Sequence, residues 1–219
     1  MEATRSTSAE GRRRGRPRSL TEQRIVAAAL KLSAEGWLEG LSMRALATEL
    51  GVPLMTLYNY VPSKDALQEL VLNHVLRPVR VPPPDAGSWD ERIRQLERNA
   101  RRAMARHPGL SLSRHGRGSR EAMRLTEGVL SILADGGFSP DEAALAFAAL
   151  YAVTLGQLEI GAMAAARGGH VEASFKAATR PAHLSRDNLF DFGLDAMIEG
   201  LKAALPRKRP RRRRSSQPG

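Results

Sequence analysis

The chain of 219 residues contains no cysteine, which excludes disulfide bonds and catalysis by a thiolate. Its N-terminus lacks the apolar segment that a secretory signal requires. The longest apolar run, residues 143–156, is too short and too interrupted to span a bilayer. We therefore expect a soluble, cytoplasmic protein with no membrane partner.

The sequence also lacks the motifs on which most enzymes depend. It has no Gly-rich phosphate loop, no nucleophile elbow and no paired acid–base cluster, so we expect no catalytic activity. Its histidines show no metal-ligand spacing such as i, i+4 on one helix, and we predict neither a metal site nor a cofactor. They are His74, His107, His115, His170 and His183.

Acidic residues are scarce at both ends of the chain, and this places the whole net charge of +11 there. Residues 1–18 carry six arginines and two glutamates, a net charge of +4, and residues 206–219 carry +7. Residues 19–205 are therefore neutral in sum. Polar, strongly basic ends cannot bury enough apolar surface to fold, so we expect a disordered arm over 1–20 and a disordered tail over 206–219.

Residues 41–64, LSMRALATELGVPLMTLYNYVPSK, predict two short helices joined by a tight turn. Ser42 can cap the first helix, Gly51 suits its left-handed end, and Pro53 can stand where the second begins. Apolar residues recur at the spacing of one helical face. Those that we expect in the core are Met43, Leu46, Ala47, Leu50, Leu57 and Val61.

The second of these helices keeps a polar and aromatic face for another partner. In a helix-turn-helix this helix lies in a DNA major groove. Lys64, at the start of the next helix, can meet a phosphate beside the helix N–H groups. The alternative is an ordinary helical hairpin within a core. The residues left over on this helix are Leu54, Met55, Thr56, Tyr58, Asn59 and Tyr60.

Helical spacing continues to residue 205 with no strand or repeat, which predicts an all-α fold. We expect an N-terminal three-helix helix-turn-helix domain over 21–78, a Pro-rich linker over 79–88 and a helical domain over 89–205. The helix expected to end near Ala166 is apolar nearly all round and must be covered on every side. A second subunit can supply that cover, which predicts a homodimer. The candidate interface residues are Phe147, Tyr151, Leu155, Leu158, Phe192 and Ile198.

Together these motifs resemble the tetracycline-repressor (TetR) family over about residues 20–205. The likeness is carried by LSMRALATELGVPLMTLYNYVPSKDAL and, in the second half, by the SW start, the HP break, GGFS before the long helix and LGQLE within it. The resemblance implies a tetracycline-repressor-like C-terminal domain, a homodimer, a small-molecule cavity in each subunit and release of DNA when ligand binds. With the arm included, the candidate DNA contacts are Arg16, Arg18, Ser42, Arg44, Leu54, Met55, Thr56, Tyr58, Asn59, Tyr60 and Lys64.

The ligand side of the resemblance rests on fewer residues. Arg114 and His115 fall near the place where the resemblance puts a metal-binding histidine, but the drug and Mg²⁺ positions of tetracycline repressors are not matched by a recognisable set. Core packing is an alternative reading of every candidate wall residue. The candidate pocket walls are Met104, His107, Met123, Leu125 and Val129.

Two functional hypotheses follow. The first is a ligand-responsive, sequence-specific transcriptional regulator, a repressor released from a palindromic operator by an unknown small molecule. The alternative is an architectural, nucleoid-type DNA binder that uses its arginine tails. Only the first needs a helix aimed at base edges.

The arm supplies the first testable prediction. Residues 19–76 contain four cations and six anions, a net charge of −2, so the reading domain does not attract DNA by its own field. Arginine is favoured in a narrow minor groove, and Arg16 and Arg18 directly precede the domain. Deleting residues 1–18 should weaken binding and flatten its salt dependence, by about 0.9 in the log–log slope for each phosphate that the arm neutralises. The preferred sequence should hardly change.

Deletion of residues 206–219 is the control, because it removes more charge from the far end of the chain. An unchanged salt slope after removal of the arm, or a larger effect from removal of the tail, would show that the arm is only a solvated segment.

Overall fold

The computed structural model describes residues 20–33, 41–107, 110, 116, 118–166 and 186–204, and these ranges are helical with no strand. Side chains are described there except at 159–166 and 186–187. The eight α-helices of the described part are α1 (Glu22–Ser33), α2 (Met43–Leu50), α3 (Leu54–Tyr60), α4 (Lys64–Leu76), α5 (Trp89–Ala105), α6 (Arg120–Asp135), α7 (Pro140–Ala166) and α8 (Arg186–Ala204). The all-α prediction is confirmed.

The helix-turn-helix is built by the local signals expected from the sequence. The Ser42 hydroxyl accepts a hydrogen bond from the Ala45 amide at 3.0 Å, which caps α2. Gly51 has φ 67°, in the left-handed region where glycine costs least, and turns the chain into α3. Leu46 and Leu57 are fully buried, and α2 packs against both α1 and α3. The core prediction for this motif is confirmed.

Helix α4 lies between two layers of the molecule. The Ser63 hydroxyl caps its start by accepting from the Ala66 amide at 3.1 Å. The helix packs against α1 on one side and against α5 and α6 on the other. A broad apolar face is consequently buried, and its residues are Leu67, Val71, Leu72, Val75 and Leu76.

Hydrogen bonds tie the end of α4 and the segment after it to α6. The side-chain oxygen of Asn73 accepts from the Ser119 hydroxyl and from the Glu121 amide, both at 2.9 Å. The Arg124 guanidinium donates to the Val79 carbonyl at 2.8 Å. Val81 packs so closely on Gly128 that a side chain at Gly128 would collide with it. The expected 79–88 linker is thus held against the second domain at its start.

In the second domain, helices α5 to α8 form the other half of the core. Ion pairs join α5 to α8, with Arg94 to Asp195 and Arg98 to Asp191 both at 2.8 Å. Trp89 packs edge-to-face on Phe138, with ring centroids 5.1 Å apart, where α5 begins and α7 approaches. Across the part of the chain described here, no helix is long and apolar enough to cross a membrane.

Candidate functional site

The outer face of α3 exposes large side chains beside the buried Leu57. Met55 is 72% exposed, and Tyr58 and Tyr60 are also exposed. Asn59 is exposed, whereas Leu54 and Thr56 are partly buried. Leu54 packs against the core and so offers less of its side chain than Met55. The helix therefore presents hydrogen-bonding and apolar groups side by side.

Cations and caps lie on the helices that flank α3. Arg44 is exposed on α2, which packs against α3, and Lys64 opens the first turn of α4. The Ser42 oxygen already accepts the cap hydrogen bond, and its hydroxyl proton can still be donated to a phosphate. Arg16 and Arg18 lie outside the described residues. Base edges and phosphates are the partners that this combination of groups fits.

A cavity of about 420 Å³ lies between the end of α4 and helices α5, α6 and α7. Four of the five candidate wall residues line it, namely Met104, Met123, Leu125 and Val129. Core packing was the alternative for Met123, but this side chain is 45% exposed and lines the cavity. The wall is mainly apolar, as small-molecule sites usually are.

His107 is not among the described residues that line this cavity. It follows the end of α5, and its amide donates to the Met104 carbonyl. Partial burial lowers the pKa of His107, and the neighbouring Arg106 and His74 lower it further. Arg114 and His115 lie outside the described residues. Within the described part, no group of three or more His, Cys, Asp or Glu side chains could hold a metal ion.

Several residues that we predict at a dimer interface also line the cavity. Phe147, Tyr151 and Leu158 face it from α7. Ile198 is fully buried within the protomer, which leaves no surface for a second subunit, and we remove it from the candidate interface. Phe192 is 74% exposed on α8 and keeps its place, together with the partly buried Leu155. Leu145, a leucine of α7, is equally exposed.

The cavity also contains an acid that the sequence analysis missed. Glu97 lines it from α5, only 9% exposed, and its Oε2 accepts a hydrogen bond from the Thr154 hydroxyl of α7 at 2.8 Å. Burial raises the pKa of this carboxyl to about 7, although the Thr154 hydrogen bond acts to lower it. The sequence contained a signal for this burial. Glu97 stands four residues after Ile93 and one after Leu96, which places the acid inside the apolar face of α5.

The chain matches two family models. Residues 25–71 match "Bacterial regulatory proteins, tetR family", and residues 81–185 match "Tetracyclin repressor-like, C-terminal domain". Among curated proteins, the HTH-type transcriptional repressor DrrR1 of Streptomyces coeruleorubidus is 32% identical over 227 residues, covering 91% of this chain and 84% of its own length.

Solved structures share the fold over the same range. The Streptomyces coelicolor TetR family protein ActR in complex with actinorhodin has a TM-score of 0.69 and 29% identity, covering 85% of this chain and 99% of that one. BioQ with its double-stranded DNA operator has a TM-score of 0.64 and 25% identity, covering 84% and 99%.

The buried acid generates a stability prediction. The folded protein holds the Glu97 proton more tightly than the unfolded chain does. In the unfolded chain the Glu97 carboxyl has its ordinary pKa of 4.5. The free energy of unfolding should therefore fall as pH rises from 4.5 to about 7, and the carboxylate should cost about 3 kcal/mol above that window. Glu97→Gln removes the charge and keeps an acceptor for Thr154. Urea denaturation should show the variant to be more stable than wild type at pH 8 and nearly equal at pH 4.5.

The matched control is Glu127→Gln, which makes the same change at an exposed position of α6. It should leave the pH profile of wild type unaltered. If the free energy of unfolding of Glu97→Gln instead changes with pH in parallel with that of wild type, ionisation of Glu97 does not destabilise the folded protein.

Proposed function

This chain belongs to the TetR family of bacterial regulatory proteins, and we propose from that premise that it is a transcriptional repressor which a small molecule releases from a palindromic operator. The observation that carries the proposal is the exposed face of α3. Large side chains such as Met55 and Tyr60 stay in solvent there, although the apolar residues of the inner face, such as Leu46 and Leu57, are fully buried. A surface of this kind suits base edges in a major groove.

Each exposed group has a role that its chemistry allows. Arg44 can donate both ends of its guanidinium to guanine O6 and N7. The Met55 side chain can contact a thymine methyl, and Tyr58 and Asn59 can hydrogen-bond to base edges. Thr56, Tyr60, Ser42 and Lys64 suit phosphates, which fix the register of the protein on the duplex.

The proposed control by a ligand acts through α4. Leu76, in the last turn of α4, forms part of the cavity wall, and the same helix packs on α1 of the reading domain. A ligand that binds more tightly when α4 is displaced will shift the protein toward the displaced conformation. The size of the shift is set by the difference in affinity between the two conformations. ActR in complex with actinorhodin supports the small-molecule part of this proposal, and BioQ with its operator supports the DNA part.

We extend the proposal to a homodimer that works in the cytoplasm, where bacterial DNA lies. A two-fold symmetric protein matches a palindromic site. Leu145 on α7 and Phe192 on α8 are both more than 70% exposed, and a second subunit can cover them. The architectural alternative is not favoured, because it needs neither a packed reading helix nor a cavity.

The test of sequence recognition begins with selection of DNA from a random pool by the full-length protein. A palindromic site should emerge. Arg44→Ala should weaken binding to this site by about 1–3 kcal/mol and relax the preference at one base position in each half-site. Lys64→Ala should weaken selected and random DNA alike and reduce the salt slope by about 1.

Arg102→Ala is the control. It also removes one positive charge, but from an exposed position of α5 that is not part of the DNA-binding surface. It should change binding little. Equal losses of affinity from Arg44→Ala and Lys64→Ala on cognate and random DNA would refute the assigned roles, and the absence of any palindrome would refute the function.

The dimer has its own test. Phe192→Glu places a charge where we propose an apolar contact, so light scattering at micromolar concentration should show monomers that no longer hold the palindrome. The exposed Glu127→Gln protein should remain dimeric. A wild-type monomer under these conditions, or a dimeric Phe192→Glu protein, contradicts the proposed interface.

A further inference from the structure

The carboxyl of Glu97 is an unusual component of the cavity wall. Around it the wall is formed by side chains such as Leu96, Met104, Val129 and Phe147. In the described part of the chain its hydrogen-bond partner is Thr154, and no Lys, Arg or His forms an ion pair with it. A carboxylate offers about four lone-pair sites, of which Thr154 takes one. A buried charge is costly unless it is paired.

A purely structural role does not require an acid at this position. The Thr154 hydroxyl could donate equally well to a glutamine, which would link α5 to α7 without a buried charge. Arg92, another buried charged residue on α5, shows the contrast. Its guanidinium donates to Asp135 at 2.8 Å and to the Pro82 carbonyl at 3.2 Å, so protein groups satisfy it. Glu97 has no such partner within the described residues.

Helix α7, which also carries Thr154, offers the cavity a surface for a flat ring system. Phe147 and Tyr151 are stacked, with ring centroids 5.6 Å apart and planes 19° apart, and both face the cavity. Aromatic faces attract cations as well as apolar rings. Met104 and Met123 can adapt to an irregular ligand surface. The cavity therefore combines a negative group, aromatic faces and adaptable apolar walls.

We propose that the effector is a lipophilic cation, an aromatic or polycyclic body with a protonated nitrogen that pairs with the Glu97 carboxylate. This inference rests on the proposed function, because it identifies the cavity as the effector site. An anion would be repelled by Glu97. A neutral ligand would leave the carboxylate buried without a counter-charge, whereas a cation supplies one in a water-poor site where the attraction is strongest.

The pairing also fixes how binding should depend on pH. Glu97 and the Tyr151 phenol are the titratable groups that line the cavity within the described residues. The cation binds the ionised carboxyl, so below about pH 7 its binding should release the proton that Glu97 holds in the unliganded protein. Affinity for a permanently charged cation should therefore weaken as pH falls below about 7, since burial raises the pKa of Glu97 to about 7.

The probes are three ring systems, each prepared in three charge states. They are the methylamines of naphthalene, anthracene and pyrene, with the matching alcohols and carboxylates. Fluorescence titration of the full-length protein without DNA, at pH 8, measures affinity. For at least one ring system the amine should bind about tenfold or more tightly than the alcohol, and the carboxylate should not bind.

Two variants decide whether Glu97 is responsible. Glu97→Gln should lower the affinity of the amine about tenfold and leave that of the alcohol within about twofold. Thr126→Val, which removes a hydroxyl elsewhere on the cavity wall, is the matched control and should keep the preference for the amine. Circular dichroism should confirm that both variants are folded. If no amine binds more tightly than its alcohol for any ring system, including the case of no binding at all, the proposal is overturned.

Release from the selected operator separates this inference from the proposed function. The binding amine should release wild-type protein but not Glu97→Gln, which also controls for direct binding of the amine to DNA. Release by a neutral or anionic compound alone would overturn the cation proposal and leave the repressor function standing. Amine binding that depends on Glu97 but never alters operator binding would overturn the effector role of the cavity and leave the cation site standing.

Discussion

Helix α4 packs against helices of both domains, and this constraint joins the two halves of the molecule. Its apolar residues pack on α1 in the reading domain and on α5 and α6 in the second domain. Leu76 at its end reaches the cavity, and Asn73 is hydrogen-bonded to Ser119 and Glu121 at the start of α6. Because packed cores resist deformation, a change at the cavity that moves α4 must also move the helices resting on it.

Two buried charges on α5 illustrate different uses of a charged group. Arg92 is satisfied by Asp135 and the Pro82 carbonyl, and it fixes the chain that connects the two domains. Glu97 is held by Thr154 and keeps a raised pKa because burial disfavours its charge. A group whose charged form is costly in the folded protein is a candidate for ligand binding, since a ligand can remove the cost.

The reading surface carries little charge of its own. The Lys31 ammonium is paired with Glu49 at 2.7 Å between α1 and α2, and residues 19–76 are net acidic. Affinity for a polyanion must therefore come from a few placed cations and from the arginine arm. Specificity can come from α3, where Met55 and two tyrosines are exposed. This separation of affinity from base reading is a direct consequence of where the charges lie along the chain.

The sequence by itself determined the features that depend on neighbouring residues. Caps such as Ser42 and Ser63, the left-handed Gly51 and the helix ends follow from local hydrogen bonding and backbone sterics. The tertiary structure alone decided which side of α7 meets the cavity, because a helix that is apolar all round has no periodicity that marks its faces. It likewise decided the burial of Ile198, the exposure of Met123 and the placement of Glu97 in the cavity wall. A cavity is space between helices that are distant in sequence, so no local pattern specifies which side chains will border it.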